Sequence, residues 1–156
     1  MIGRLRSLLK DLSRPAGPAA DPDRVPLAMA ALLVEAARAD HHVKEEELEE
    51  LGTLLTVRLD IDPEAASNLM HRAREAVEKS VSLYEFTRPL QEAFTYAQKE
   101  EFVRMLWHVA LADRRLDKYE DYLVGKVSEL LYVSRGDVLR LKHEALQFKP
   151  AAIGGD

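Results

Sequence analysis

The chain has 156 residues, with 22 Lys and Arg against 27 Asp and Glu, and a formal net charge of −5. That acidic balance excludes general nucleic-acid binding, whose electrostatic footprint is a basic excess, while a hydrophobic content of 47% is that of a chain with a core to bury. With no cysteine, disulfides, thiolate metal sites and a cysteine nucleophile are excluded as well.

Residues 1–13 repeat Ile2, Leu5, Leu8, Leu9 and Leu12 at helical spacing, with Arg4, Arg6 and Lys10 between them, which predicts a short amphipathic helix. These charges also break up any signal-peptide core. Pro15, Gly17, Pro18 and Pro22 mark a linker, so residues 1–24 are expected to be an N-terminal segment, 25–148 a helical domain and 149–156 a flexible tail. The most apolar stretch, Val25 to Val34, falls well short of the roughly 18 residues a membrane span needs. A cytoplasmic protein is the expectation, with peripheral membrane contact through residues 1–14 ranked below contact with protein.

Seven helices are predicted in the domain. The first begins near Val25, buries Leu27, Ala30, Leu33, Val34 and Ala37, and ends at Asp40-His41-His42. The second begins near Lys44 with Glu45, Glu46 and Glu47 in its first turn, where the helix dipole favours carboxylates, and buries Leu48, Leu51, Leu54 and Leu55. Asp62-Pro63 opens the third, an N-cap followed by proline at the first helical position, with Ala65, Leu69, Ala73 and Val77 inward. Capping boxes at Ser82–Glu85, Thr95–Gln98 and Asp117–Glu120 open the fourth, fifth and sixth, and Ser134-Arg135-Gly136-Asp137 starts the seventh. Pro89 is expected to kink the fourth helix or split it after Thr87. Tyr119, Tyr122 and Tyr132 read as half-buried helix residues, and no strand pattern competes.

One phrase occurs twice. Leu33, Ala37, Ala39, Asp40 and Glu47 recur 73 positions later as Leu106, Ala110, Ala112, Asp113 and Glu120. Asp62 and Ser134, which cap the third helix of each half, are 72 apart, so a one-residue gap lies between. The first three helices therefore correspond to the last three, with the fourth joining two pseudo-symmetric halves. The expected fold class is all-α.

The two phrases, Ala37-Arg38-Ala39-Asp40 with Val43 and Glu47, and Ala110-Leu111-Ala112-Asp113 with Leu116 and Glu120, resemble the TerB-like family associated with bacterial tellurite resistance. The likeness covers about Pro26 to Leu146, and Leu83-Tyr84-Glu85-Phe86-Thr87 is similar to the middle of a bacterial subgroup. His41 and Arg114 stand where the family often has glycine, so the turn is expected to differ from one that uses glycine's left-handed freedom. The resemblance implies an all-helical fold and metal binding at the acidic turns, and implies no reaction.

Two readings of those turns stay open. In the first, Asp40, Glu47, Asp113 and Glu120 are oxygen ligands to a divalent cation in a non-enzymatic module, serving tellurite or stress response. In the second, the domain binds another protein or itself and the turns are purely structural. Asp117 with Glu120 is a complete capping box, and Asp40 and Asp113 can organise their own turns. His41-His42 lacks a further histidine at ligand spacing, and no nucleophile motif or phosphate loop points to an enzyme. Residues 1–13 are expected to cover an apolar groove or to self-associate.

Overall fold

Between Arg24 and Ala37 only Arg24 and Glu35 are charged. A helix that is apolar nearly all round must be covered nearly all round, and this requirement shapes the architecture. In the computed structural model, which describes residues 22–38, 44–112 and 118–147, the run is helix α1 (Arg24–Ala37). It is followed by α2 (Glu45–Leu59), α3 (Pro63–Lys79), α4 (Tyr84–Ala93), α5 (Tyr96–Ala110), α6 (Lys118–Leu130) and α7 (Arg135–Gln147). No strand occurs among the described residues, so the fold is all-α. Residues 1–13, the linker, the tail and the turns carrying Asp40 and Asp113 lie outside the described residues.

Helix α1 packs on α2, α3, α4, α5 and α6. Met29 through Leu33 are wholly buried, and Ala28, Val34 and Ala36 nearly so. The predicted inward stripe is therefore too narrow, because it assumed an exposed face that this helix lacks. Leu27 and Ala37, at the two ends, are only half-buried. In α3 the buried face is Ala66, Leu69, Met70, Ala73 and Val77, while Ala65 is exposed. Residue 66 is in register with 69, 70, 73 and 77, and residue 65 lies one helical step off that face.

The duplication is structural as well as sequential. Helices α1 and α5 both end at the repeated alanine, Ala37 and Ala110, and α2 and α6 both begin 73 residues apart. The starts of α1 and α5, and of α3 and α7, are 72 apart. Each half also turns out of its second helix through a left-handed residue that is not glycine, Asp60 at φ 57° and Tyr132 at φ 61°. In both halves the first helix packs most heavily on the third. The halves differ in the second pairing: α2 lies extensively against α3, whereas α6 barely meets α7.

Most helix starts follow the sequence. The Asp62 carboxylate accepts from the Glu64 and Ala65 amides at 3.0 and 3.3 Å. Thr95 and Gln98 form a reciprocal box at 3.2 and 2.7 Å. The Ser82 box is displaced by one residue. Ser82 Oγ accepts from the Tyr84 amide, and Glu85 reaches back to the Val81 amide at 3.1 Å. At Ser134 the box is opened by a tertiary contact. The Asp137 amide donates to Ser134 Oγ, but the Ser134 amide donates to the Tyr96 hydroxyl, which in turn donates to Asp137 at 2.6 Å. The α7 start is thereby pinned to the α5 start.

Pro89 lies inside α4 without splitting it. The missing hydrogen bond costs one carbonyl its partner, and burial of Phe86, Pro89 and Leu90 against the core holds the helix together. Tyr122 and Tyr132 are 64% and 72% exposed rather than half-buried, and Tyr132 falls in the turn after α6. Lys99, buried on α5, donates to Gln91 Oε1 and stands 5.9 Å from the Tyr132 ring; burial pulls its ammonium below the usual lysine range.

Two substitutions test this account. Leu33→Ala removes a wholly buried side chain from the central helix and is expected to cost about 2–5 kcal/mol in denaturant unfolding. Gly125→Ala, in α6 with open space where its Cβ would stand, is expected to stabilise by about 0.5–1 kcal/mol through the better helix propensity of alanine.

Candidate functional site

The two acidic corners join α1 to α2 and α5 to α6. Helix α1 stops earlier than the sequence pattern suggests. Its cap, Arg38, is extended at ψ 112°, so Asp40 follows the helix rather than ending it. On the second corner, Leu111 caps α5. Asp40 and Asp113 themselves lie outside the described residues, while Glu47 and Glu120 lie within them.

Glu47 Oε1 accepts the Lys44 backbone N–H at 2.9 Å, the backward half of a capping box. The lysine side chain has no acceptor to return the bond. One oxygen of Glu47 is thus committed to the start of α2, which leaves the other carboxylate oxygen with its lone pairs. Beside it, Glu45 is drawn towards α3. His71 Nε2 meets Glu45 Oε2 at 2.6 Å, His71 Nδ1 meets the Ser67 carbonyl at 2.9 Å, and Arg74 adds a weaker bond at 3.4 Å. With both ring nitrogens facing acceptors, the imidazolium is favoured. The Ser67 carbonyl, then Glu45, raise the histidine's pKa, and the His71 bond lowers that of Glu45.

Glu120 has a different setting. It is 6% exposed, in the first turn of α6, against the half-buried Glu47. A second buried carboxylate, Glu35, is 7% exposed on the last turn of α1 and pairs with Arg38 at 3.0 Å. Sequence reasoning passed over Glu35, although it is the only acid in the run from Arg24 to Ala37. A lone carboxylate in an apolar helix was the available signal. Its repeat counterpart is His108, which is half-buried. Burial, then the positive charges of Arg58 and Arg104, lower its pKa and favour the neutral ring.

The packing of α6 on α1 brings the first turn of α6 near the end of α1. Glu35 and Arg38 from α1, Tyr119 from α6 and Glu78, Ser80 and Ser82 from the end of α3 onward line one open cleft of about 420 Å³. Burial, followed by the negative charge of Glu35, raises the Tyr119 phenol above its usual range, with Arg38 opposing. The cleft is polar and rich in oxygen donors. Carboxylates and hydroxyls of this kind suit a hard cation, and the absence of cysteine removes the soft ligands that select other metals. Among the described residues, no group of three or more His, Asp or Glu side chains is placed to hold a metal ion. Of the four candidate residues, Glu47 and Glu120 are described, whereas Asp40 and Asp113 lie outside the described residues.

The contribution of Glu35 to this cleft is directly measurable. Glu35→Gln removes the carboxylate charge beside Tyr119, and a spectrophotometric phenol titration is expected to show the Tyr119 pKa falling part of the way towards its ordinary value. Burial, the larger cause, remains, so a complete return is not expected.

The comparisons with known proteins yield one match. Residues 26–143 match the family model described as tellurite resistance protein TerB. No curated protein and no solved structure matches the chain.

Proposed function

Since this chain belongs to the TerB family, we propose that it is a non-enzymatic cytoplasmic module that binds a divalent cation at its duplicated acidic corners, in tellurite or a wider stress response. Asp40, Glu47, Asp113 and Glu120 would hold the ion, which would supply charge neutralisation between the two halves. The observation that supports the reading is the polar cleft where Glu35 and Arg38 at the end of α1 face Tyr119 in the first turn of α6, residues that flank the two corners in the chain. Carboxylates at two helix junctions repel each other unless a cation sits between them. A bound ion would therefore fasten the start of α6 to the end of α1.

Few carboxylates per corner, one of them already capping a helix, favour weak binding, with a dissociation constant on the order of 10⁻⁴ M. Among the described residues no helix is long and apolar enough to cross a membrane.

A second reading is favoured by one specific contact. The Glu47 carboxylate caps α2 through the Lys44 amide, as expected if the corners only shape the fold and the domain binds a protein partner or a second copy of itself. Calorimetric titration of chelator-treated protein with Ca²⁺, Mg²⁺, Mn²⁺ and Zn²⁺ separates the two. Cation binding predicts heat for at least one ion, diminished in Asp40→Asn and in Asp113→Asn. Substitutions that change the unfolding midpoint with no heat for any ion would decide for the structural reading.

A further inference from the structure

At the other end of α1 from the acidic corners, the first turn of the helix and the side of α4 leave a groove of about 520 Å³. Leu27, Ala28, Phe86 and Pro89 form its apolar wall, and Tyr84, 50% exposed, stands at its rim. The two arginines that line it, Arg24 and Arg88, are both bonded to Glu92, at 3.2 and 3.0 Å. Glu92 thereby offsets one of their two charges.

We propose that this groove is the docking site of the chain's own residues 1–13. Two observations select that occupant. The groove opens at Arg24 and Leu27, so the linker of residues 14–23 arrives at its edge. Ten residues reach at most about 35 Å when fully extended, which keeps the segment close to the groove, and the tether gives it a high effective concentration there. The segment itself needs an apolar partner, because Ile2, Leu5, Leu8, Leu9 and Leu12 gather on one side at helical spacing. A lipid surface is the weaker competitor, since a single short amphipathic helix binds membranes marginally and pays no less in ordering than it would in a tethered groove.

The lack of any native cysteine makes the test clean. The full chain carrying Ser7→Cys is labelled with a nitroxide, and backbone amide signals are compared with the reduced label. The amides of Leu27, Ala28, Tyr84 and Phe86 are expected to lose most of their intensity while those of α7 around Leu141 keep theirs. Adding Leu5→Asp and Leu8→Asp, which lie outside the described helices, is expected to restore the groove signals. Unchanged groove signals, or loss centred on another face, would overturn the proposal. So would loss that persists when the label and the isotope are on different molecules, since that assigns the groove to a second copy. Recovery of the groove signals as the chain sediments with phosphatidylserine vesicles would assign the segment to lipid instead.

Discussion

The burial of α1 is the constraint on which the other helices depend. A helix with hydrophobic residues on every side cannot rest at a surface, and five of the other six helices lie against it. Its alanines matter as much as its leucines. Ala28, Ala30, Ala31 and Ala36 are small enough for neighbouring helices to approach from several directions, and the larger Met29, Leu32 and Leu33 fill the spaces between them. The single acid of its last turns, Glu35, is accommodated at the end of the helix, where Arg38 is within reach. A carboxylate at the middle of the same helix would have no such partner and would bear the cost of burying an uncompensated charge.

Duplication gave the domain two similar halves, but they have not kept equal roles. Helix α5 is the repeat partner of α1, yet it carries Gln98, Lys99, Glu101, Arg104 and His108. These groups form specific contacts rather than a uniform apolar sheath. Arg104 pairs with Glu101 and with Glu144, and Arg140 joins Glu100, Asp137 and Glu144, so α5 and α7 are laced together at their edge. The exposed pairs among these each contribute little, whereas the Arg104–Glu101 pair is largely buried. Their arrangement fixes the register of α7, and Trp107, donating to the Val138 carbonyl at 3.2 Å, provides the buried anchor beneath them. In the first half the corresponding pair is α1 on α3, where α1 brings an almost uncharged surface.

The same asymmetry bears on the corners. Glu47 and Glu120 occupy equivalent repeat positions, but one is half-buried and holds a backbone amide while the other is buried. The residue two before the repeated terminal alanine of each helix has likewise diverged, to Glu35 in one half and His108 in the other. A cleft between the halves is therefore not symmetric in its chemistry: it has an anion and its arginine on the α1 side and a phenol on the α6 side.

Much of the local structure was legible in the chain itself. Helix starts at Asp62 and Thr95 follow from side chains within three residues of the amides they satisfy, and the repeat pairs the first three helices with the last three, although α1 ends at Ala37 rather than at Asp40. Periodicity and capping are short-range, and sequence carries short-range information openly. That Tyr96 enters the Ser134 cap, that Tyr132 closes a left-handed turn, and that Glu35 and Tyr119 share a cleft depend on groups brought together from distant parts of the chain. Only the packing of helices around α1 decides those, because burial and electrostatics act on distance in space, and the sequence records distance along the chain.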